Sequence, residues 1–189
     1  RIDDWLITYG GAGTSRYTRH VARSVLIAAV RRVRRPGGKF DELMVLESTQ
    51  GTFKSSALRV LCPDERWFSD DLPLDVDAKQ LIERTGGKWL IEATELSGLS
   101  QARVDHLKAL LSRQVDGPCR LAYARLPVER ARQFVVIGTT NEHAYLFDQT
   151  GNRRFWPLRV DRFDIAALIR DRDQLWAEAV ARVDEPTWI

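Results

Sequence analysis

The chain has 189 residues, 44% of them hydrophobic and 29% charged, with a formal net charge of +3. That length supports one full α/β domain with a real core, and the composition is ordinary for a soluble globular protein. No apolar run approaches the roughly 20 residues that span a bilayer, and no signal peptide is visible, so no membrane partner is expected. Two cysteines, Cys62 and Cys119, lack a pairing pattern and read as reduced thiols of a cytoplasmic protein. The three histidines fall at no zinc-ligand spacing, so no structural metal is implied. The chain begins at Arg1 without a methionine, which suggests a piece of something longer.

Residues 1–40 read as a helical segment. Trp5, Leu6 and Tyr9 recur at helix spacing, Gly10-Gly11 interrupts, and the pattern resumes from Tyr17 to Val33. Arg31 to Arg35 close this helix, where the dipole favours cations, and Pro36-Gly37-Gly38 stops it. Residues 41–189 read as the main domain. Leu43-Met44-Val45-Leu46 has the character of a buried parallel strand, and Ala57 to Leu61 that of a helix. Trp67 to Asp70 is a short strand-like piece, and Ala78 to Arg84 a short helix. Lys88 to Glu92 is a second buried strand, followed by a helix over Ala102 to Leu111. Arg120 to Arg125 alternates like a strand and suits a hairpin. Gln133 to Gly138 is a third buried strand, Arg154 to Val160 another, and Ile165 to Val183 a helix with a break near Arg170. Apolar strands separated by helices predict a parallel α/β sheet.

The stretch LMVLESTQGTFKSSALRVL, residues 43–61, places a strand, a glycine-bearing loop, Lys54-Ser55 and a helix in succession. These are the parts of a phosphate-binding loop, which aims backbone N–H groups and a helix N-terminus at anionic oxygens. Lys54 would reach the β and γ phosphates, and the Ser55 hydroxyl would help hold Mg²⁺. The pattern G-x-x-x-x-G-K-S/T has glycine where this chain has Ser48 and Phe53; only Gly51 remains. If residue 53 requires a positive φ, a phenylalanine there is strained.

Each apolar strand delivers a polar group to the carboxyl edge of the sheet, where ligands of open α/β sheets bind. Glu92 ends the second strand and suits a Mg²⁺ site reached through water. Glu95, three residues on, suits the orientation or deprotonation of an attacking water. Spacing alone does not assign these two roles. Asn141 follows the third strand and suits a γ-phosphate sensor; a turn asparagine is the plainer alternative. Arg153 and Arg154 follow Gly151-Asn152 and suit an arginine finger offered to a neighbouring subunit, or simply exposed hairpin cations. Arginines also recur at Arg113, Arg120, Arg125, Arg130 and Arg132. Arg120, Tyr123 and Arg125 mix cations with an aromatic ring, as a single-strand binding surface does.

The blocks PGGKFDELMVLESTQGTFKSS, WFSDDL, GKWLIEATEL, LKALLSRQVD, RQFVVIGTTNE and TGNRRFWPLRV, in this order, resemble the virulence-associated protein E family. These are P-loop ATPases of phages, prophages and mobile islands, similar to superfamily three replicative helicases. The resemblance runs from Arg1 to the helix containing Trp176 to Ala179. It implies a three-layer P-loop NTPase fold of AAA+-like type, with ATP and Mg²⁺ as cofactors. The nucleotide would be bound by Gln50, Gly51, Thr52, Phe53, Lys54, Ser55 and Ser56. It also implies a metal-side acid at Glu92 with Glu95 beside it, a sensor at Asn141, and a finger at Arg153 or Arg154. The segment Arg113 to Arg125 resembles the family's DNA-contacting hairpin. The implied activity is an ATP-driven DNA helicase or translocase, a hexameric ring in the full-length protein, with single-stranded or forked DNA as partner and a possible fused primase. Ser48 and Phe53 depart from the family's glycines. This leaves a second class of function, a scaffold that binds nucleotide or DNA without turnover. A small-molecule kinase fits less well, because the arginine-rich segments suit phosphodiester backbones better than one metabolite.

Overall fold

A computed structural model describes residues 1–72, 74, 76–94, 96, 100–122, 125–141 and 152–187. The chain opens with two helices, α1 (Trp5–Gly10) and α2 (Arg16–Arg34). Gly11 ends α1 with φ 64°, and Ser15 caps α2 by accepting a hydrogen bond from the Thr18 N–H at 2.9 Å. Strand β1 (Leu43–Glu47), helix α3 (Lys54–Leu61), the short β2 (Phe68–Ser69), α4 (Ala78–Thr85), β3 (Leu90–Ala93) and α5 (Gln101–Ser112) come next. An antiparallel hairpin, β4 (Val115–Cys119) and β5 (Val128–Ala131), precedes β6 (Val135–Thr140). Strand β7 (Phe155–Arg159) and helix α6 (Ile165–Ala181) complete the chain.

Among the described residues five strands form one parallel sheet in the order β2-β3-β6-β1-β7. Both faces are covered, which is why these strands read as continuous apolar runs rather than alternating ones. Met44 and Leu46 of β1 face an apolar cluster shared with α1, α2, α3 and α6, while Leu43 and Val45 face one shared with α4 and α5. Each such leucine removed from water contributes about 1.5–3 kcal/mol. Gly138 lies where this second cluster is tightest: a Cβ there would come within 2.6 Å of Leu96 and 3.1 Å of Val45. The result is a three-layer α/β fold of the P-loop type, with β6 inserted between β1 and β3. Among the described residues no helix is long and apolar enough to cross a membrane.

Three details differ from the sequence reading. Helix α6 is continuous through Arg170, because Leu168, Leu175, Trp176 and Ala179 keep one buried stripe across that point. The hairpin exists, but its strands flank Arg120 to Arg125, and the described residues of that segment belong to the connection. The pairing is reinforced by Asp116 of β4, whose carboxylate takes a bidentate ion pair from the buried Arg132 guanidinium at 2.7 and 2.5 Å. Gly117 and Pro118 had hidden β4 from a propensity reading. The basic run ending α2 is partly structural. Buried Arg32 donates to the carbonyls of Gly38, Phe40 and Phe134, and Arg31 to those of Val183 and Glu185.

Candidate functional site

The carboxyl ends of β1, β3 and β6 lie side by side, with Glu47 paired to Thr140 and Ala93 to Gly138. The segments leaving these three strands therefore meet at one edge. After β1 the chain turns through Ser48 to Phe53 and enters α3 at Lys54. Gly51 has φ 83° and its missing Cβ faces open space. Phe53 has φ 65° and ψ 27°, and it is the one non-glycine residue with positive φ among the described residues. The turn thus demands a left-handed residue in front of the lysine, at a cost of about 1–2 kcal/mol for any side chain but glycine.

Lys54 is buried at 7% exposure, and its ammonium bridges the loop to β6. It donates to the Ser48 carbonyl and the Ser48 hydroxyl, each at 2.9 Å, to the Thr49 carbonyl at 3.2 Å, and to Asn141 Oδ1 at 3.0 Å. Ser48 Oγ also meets Thr52 Oγ1 at 2.6 Å, so the serine in place of glycine ties the loop together. Burial pushes the Lys54 ammonium below its usual value, while the Glu92 charge pulls the other way.

Glu92 lies beneath the loop with no exposed surface. Its Oε1 accepts from Ser55 Oγ at 2.7 Å and from Thr139 Oγ1 at 2.6 Å, while Oε2 is buried with no hydrogen-bond partner among the described residues. A fully buried carboxylate oxygen without a donor is costly. Together with the Ser55 hydroxyl it forms a donor set suited to a hard cation. Among the described residues no group of three His, Cys, Asp or Glu exists that would hold a metal by itself. Mg²⁺ fits this arrangement, since it is commonly held by one or two carboxylates together with substrate phosphates. The cleft above these groups has a volume of about 330 Å³. Its walls comprise Gln50 to Ser56, Thr94, Thr139, Thr140 and Asn141.

The structure thus gathers Gln50, Gly51, Thr52, Phe53, Lys54, Ser55, Ser56, Glu92 and Asn141 at one edge. Glu95 and Tyr123 lie outside the described residues. Arg153 and Arg154 form a 3₁₀ turn immediately before β7. Phe155 pairs with Leu43 at the start of β1, so these arginines lie at the amino edge of the sheet, about 13 Å of strand away from this chain's own phosphate loop. Exposed Arg113 follows α5, and exposed Arg120 and Arg125 occupy the hairpin connection, at the far end of the hairpin from where β5 leads into the start of β6. The sequence reading missed Thr139, and it treated Ser48 only as a departure from glycine. The signal for Thr139 was available: a hydroxyl at the end of an apolar strand, two residues before Asn141.

A P-loop-type sheet with a lysine, a serine and a buried acid converging at its carboxyl edge defines the class of protein. The chain belongs to the virulence-associated protein E-like domain family, whose profile matches residues 1–188. Its fold is similar to solved structures of the NrS-1 C-terminal region. One apo structure, of residues 305–718, superimposes with a TM-score of 0.58 at 14% identity, covering 86% of this chain and 42% of that one. An A-form apo structure gives 0.63 at 14% identity, covering 98% and 46%. The chain therefore spans less than half the length of those structures. No curated protein matches the chain significantly in sequence.

Proposed function

We propose that this domain binds ATP with Mg²⁺ at the carboxyl edge of its sheet. We further propose that it serves as the ATP-driven DNA helicase or translocase domain of a phage, prophage or mobile-element replication protein. The observation that carries this reading is the convergence of Lys54, Ser55 and Asn141 on one cleft, with buried Glu92 bonded to Ser55 beneath it. Lys54 exchanges its loop carbonyls for β and γ phosphate oxygens, and the N-terminus of α3 supplies backbone donors. Ser55 and Glu92 would hold Mg²⁺, directly or through water, and the bound ion would supply positive charge beside the phosphates. Asn141 bonds the γ-phosphate or the attacking water, and Glu95 orients or deprotonates that water.

Arg153 and Arg154 lie a strand's length from their own loop, so the charge they offer suits a neighbouring subunit's nucleotide. That supports a ring, hexameric in the full-length protein, with hydrolysis completed across interfaces. Arg113, Arg120 and Arg125, with Tyr123, supply the DNA-contacting surface of the hairpin.

A second reading, nucleotide binding without turnover, draws on Phe53 in its strained conformation before Lys54. ATP hydrolysis with Mg²⁺, with and without single-stranded DNA and over a series of protein concentrations, separates the two. Turnover that rises with DNA and steeply with protein concentration, and is abolished by Lys54→Ala, supports the motor. Nucleotide binding without turnover in the full-length protein supports the scaffold.

A further inference from the structure

We propose that Phe53, together with Arg162, forms the seat for the base of the bound nucleoside triphosphate. The residue that departs from glycine in the phosphate loop then serves recognition and is not a sign of decay. This rests on the phosphate-site reading above.

Phe53 keeps a left-handed backbone that glycine would adopt without strain, yet its ring is not spent on the core: the residue is 41% exposed. The ring lies under the Arg162 guanidinium, 4.7 Å from carbon to centroid. Phe53 and Ser56 border two adjoining clefts. One is the phosphate cleft; the other, of about 660 Å³, is completed by Arg162, Phe163, Asp164 and Ile165. A triphosphate laid along the loop and the first turn of α3 therefore directs its nucleoside end past Ser56 into the second cleft. That cleft is open and carries an aromatic face and a guanidinium plane, the two surfaces on which planar bases stack.

Its far wall is fixed to the loop and not merely adjacent to it. The Phe163 N–H donates to the Thr52 carbonyl at 3.0 Å, the Asp164 N–H to the Tyr9 carbonyl at 2.8 Å, and the Asp161 N–H to the Gly10 carbonyl at 2.7 Å. Gly10 lets this segment close up, since a Cβ there would lie 2.8 Å from the Phe163 ring. The platform is thus tied by one backbone bond to the phosphate loop and by two to the end of α1, which holds it at the fixed distance that a base-and-phosphate ligand requires.

Calorimetric titration of the domain with Mg·ATP and with Mg·tripolyphosphate, which has the phosphates but no base, tests the assignment. The wild-type domain is expected to bind ATP more tightly than tripolyphosphate. Phe53→Ala and Phe53→Gly are each expected to weaken ATP on the order of tenfold. Tripolyphosphate affinity should stay within about twofold of wild type, and Phe53→Trp should restore ATP binding. Arg162→Ala should move ATP in the same direction by less. Equal loss of both ligands in Phe53→Ala, ATP affinity unchanged or raised in Phe53→Gly, or a wild-type domain indifferent to the base would each overturn the proposal. Lys54→Ala reports on the phosphate site separately: it should weaken both ligands, and if the wild-type domain binds neither, the phosphate reading itself fails and takes this one with it.

Discussion

The two edges of the sheet handle buried charge in opposite ways. At the amino edge, Arg32 is satisfied by three backbone carbonyls, and Arg132 by the Asp116 carboxylate and the Leu110 carbonyl. At the carboxyl edge, among the described residues, Glu92 has two hydroxyls on one oxygen and none on the other, and Lys54 is held by oxygens of the loop and of Asn141. A buried charge with every valence met is a fastening. One with an unmet acceptor beside an open cleft holds a place for a ligand. Buried charges therefore support architecture at one edge and, on the proposed function, chemistry at the other.

The largest effect that would break this contrast lies at the amino edge. Asp116→Ala strands the buried Arg132 guanidinium and should destabilise the fold by about 3–5 kcal/mol in chemical denaturation. A loss under about 1 kcal/mol would mean that Arg132 finds water or another partner, and that the edge is not a closed fastening. At the other edge, Lys54→Ala should leave a folded protein whose Mg·ATP affinity drops by about 10- to 100-fold, since it removes a charge-assisted bond to phosphate. Glu92→Gln sharpens the contrast further. It should weaken the Mg²⁺ dependence of nucleotide binding by at least about tenfold. Its melting temperature should not fall, because a neutral amide replaces a buried carboxylate with an orphan oxygen. A marked drop in melting temperature would recast Glu92 as structural.

The smallest effect concerns Cys62, packed beside the first residue of β3. Burial raises its thiol from 9.0 to about 12. From about pH 9 the unfolded chain sheds this proton while the fold retains it. The thiol's contribution is therefore complete below pH 9 and is lost as pH rises towards 12. Cys62→Ala should flatten that alkaline limb of a stability-versus-pH curve. At about pH 8 a thiol reagent should modify the half-buried Cys119 well before Cys62. Rapid labelling of both would show that the amino edge opens readily.

The buried strands were legible because both faces of each are covered, so Leu43 to Leu46 and Val135 to Ile137 read as unbroken apolar runs. Strand β4 was not, because its Gly117 and Pro118 oppose strand propensity, and its place comes from pairing with β5 and from the Asp116–Arg132 ion pair. Within the candidate site, Lys54 and Ser55 were visible as a local motif, and Glu92 as a charge ending an apolar strand. Thr139 was legible as a hydroxyl near the end of an apolar strand, but its partner was not, since nothing in its neighbourhood along the chain says that it meets a carboxylate 47 residues away.

The sequence by itself determined the apolar strands of the sheet, the main helices and the order in which polar groups leave the sheet, because hydrophobic periodicity and strand ends are local properties. Only the tertiary structure decided which of those groups meet. Placing β6 between β1 and β3 brings Asn141 to Lys54 and Thr139 to Glu92. It also decided which arginines are spent on backbone carbonyls and which face solvent, and that residue 53 requires a left-handed backbone. Those outcomes depend on strand order and burial, and a charge or a ring carries no mark of either in the chain.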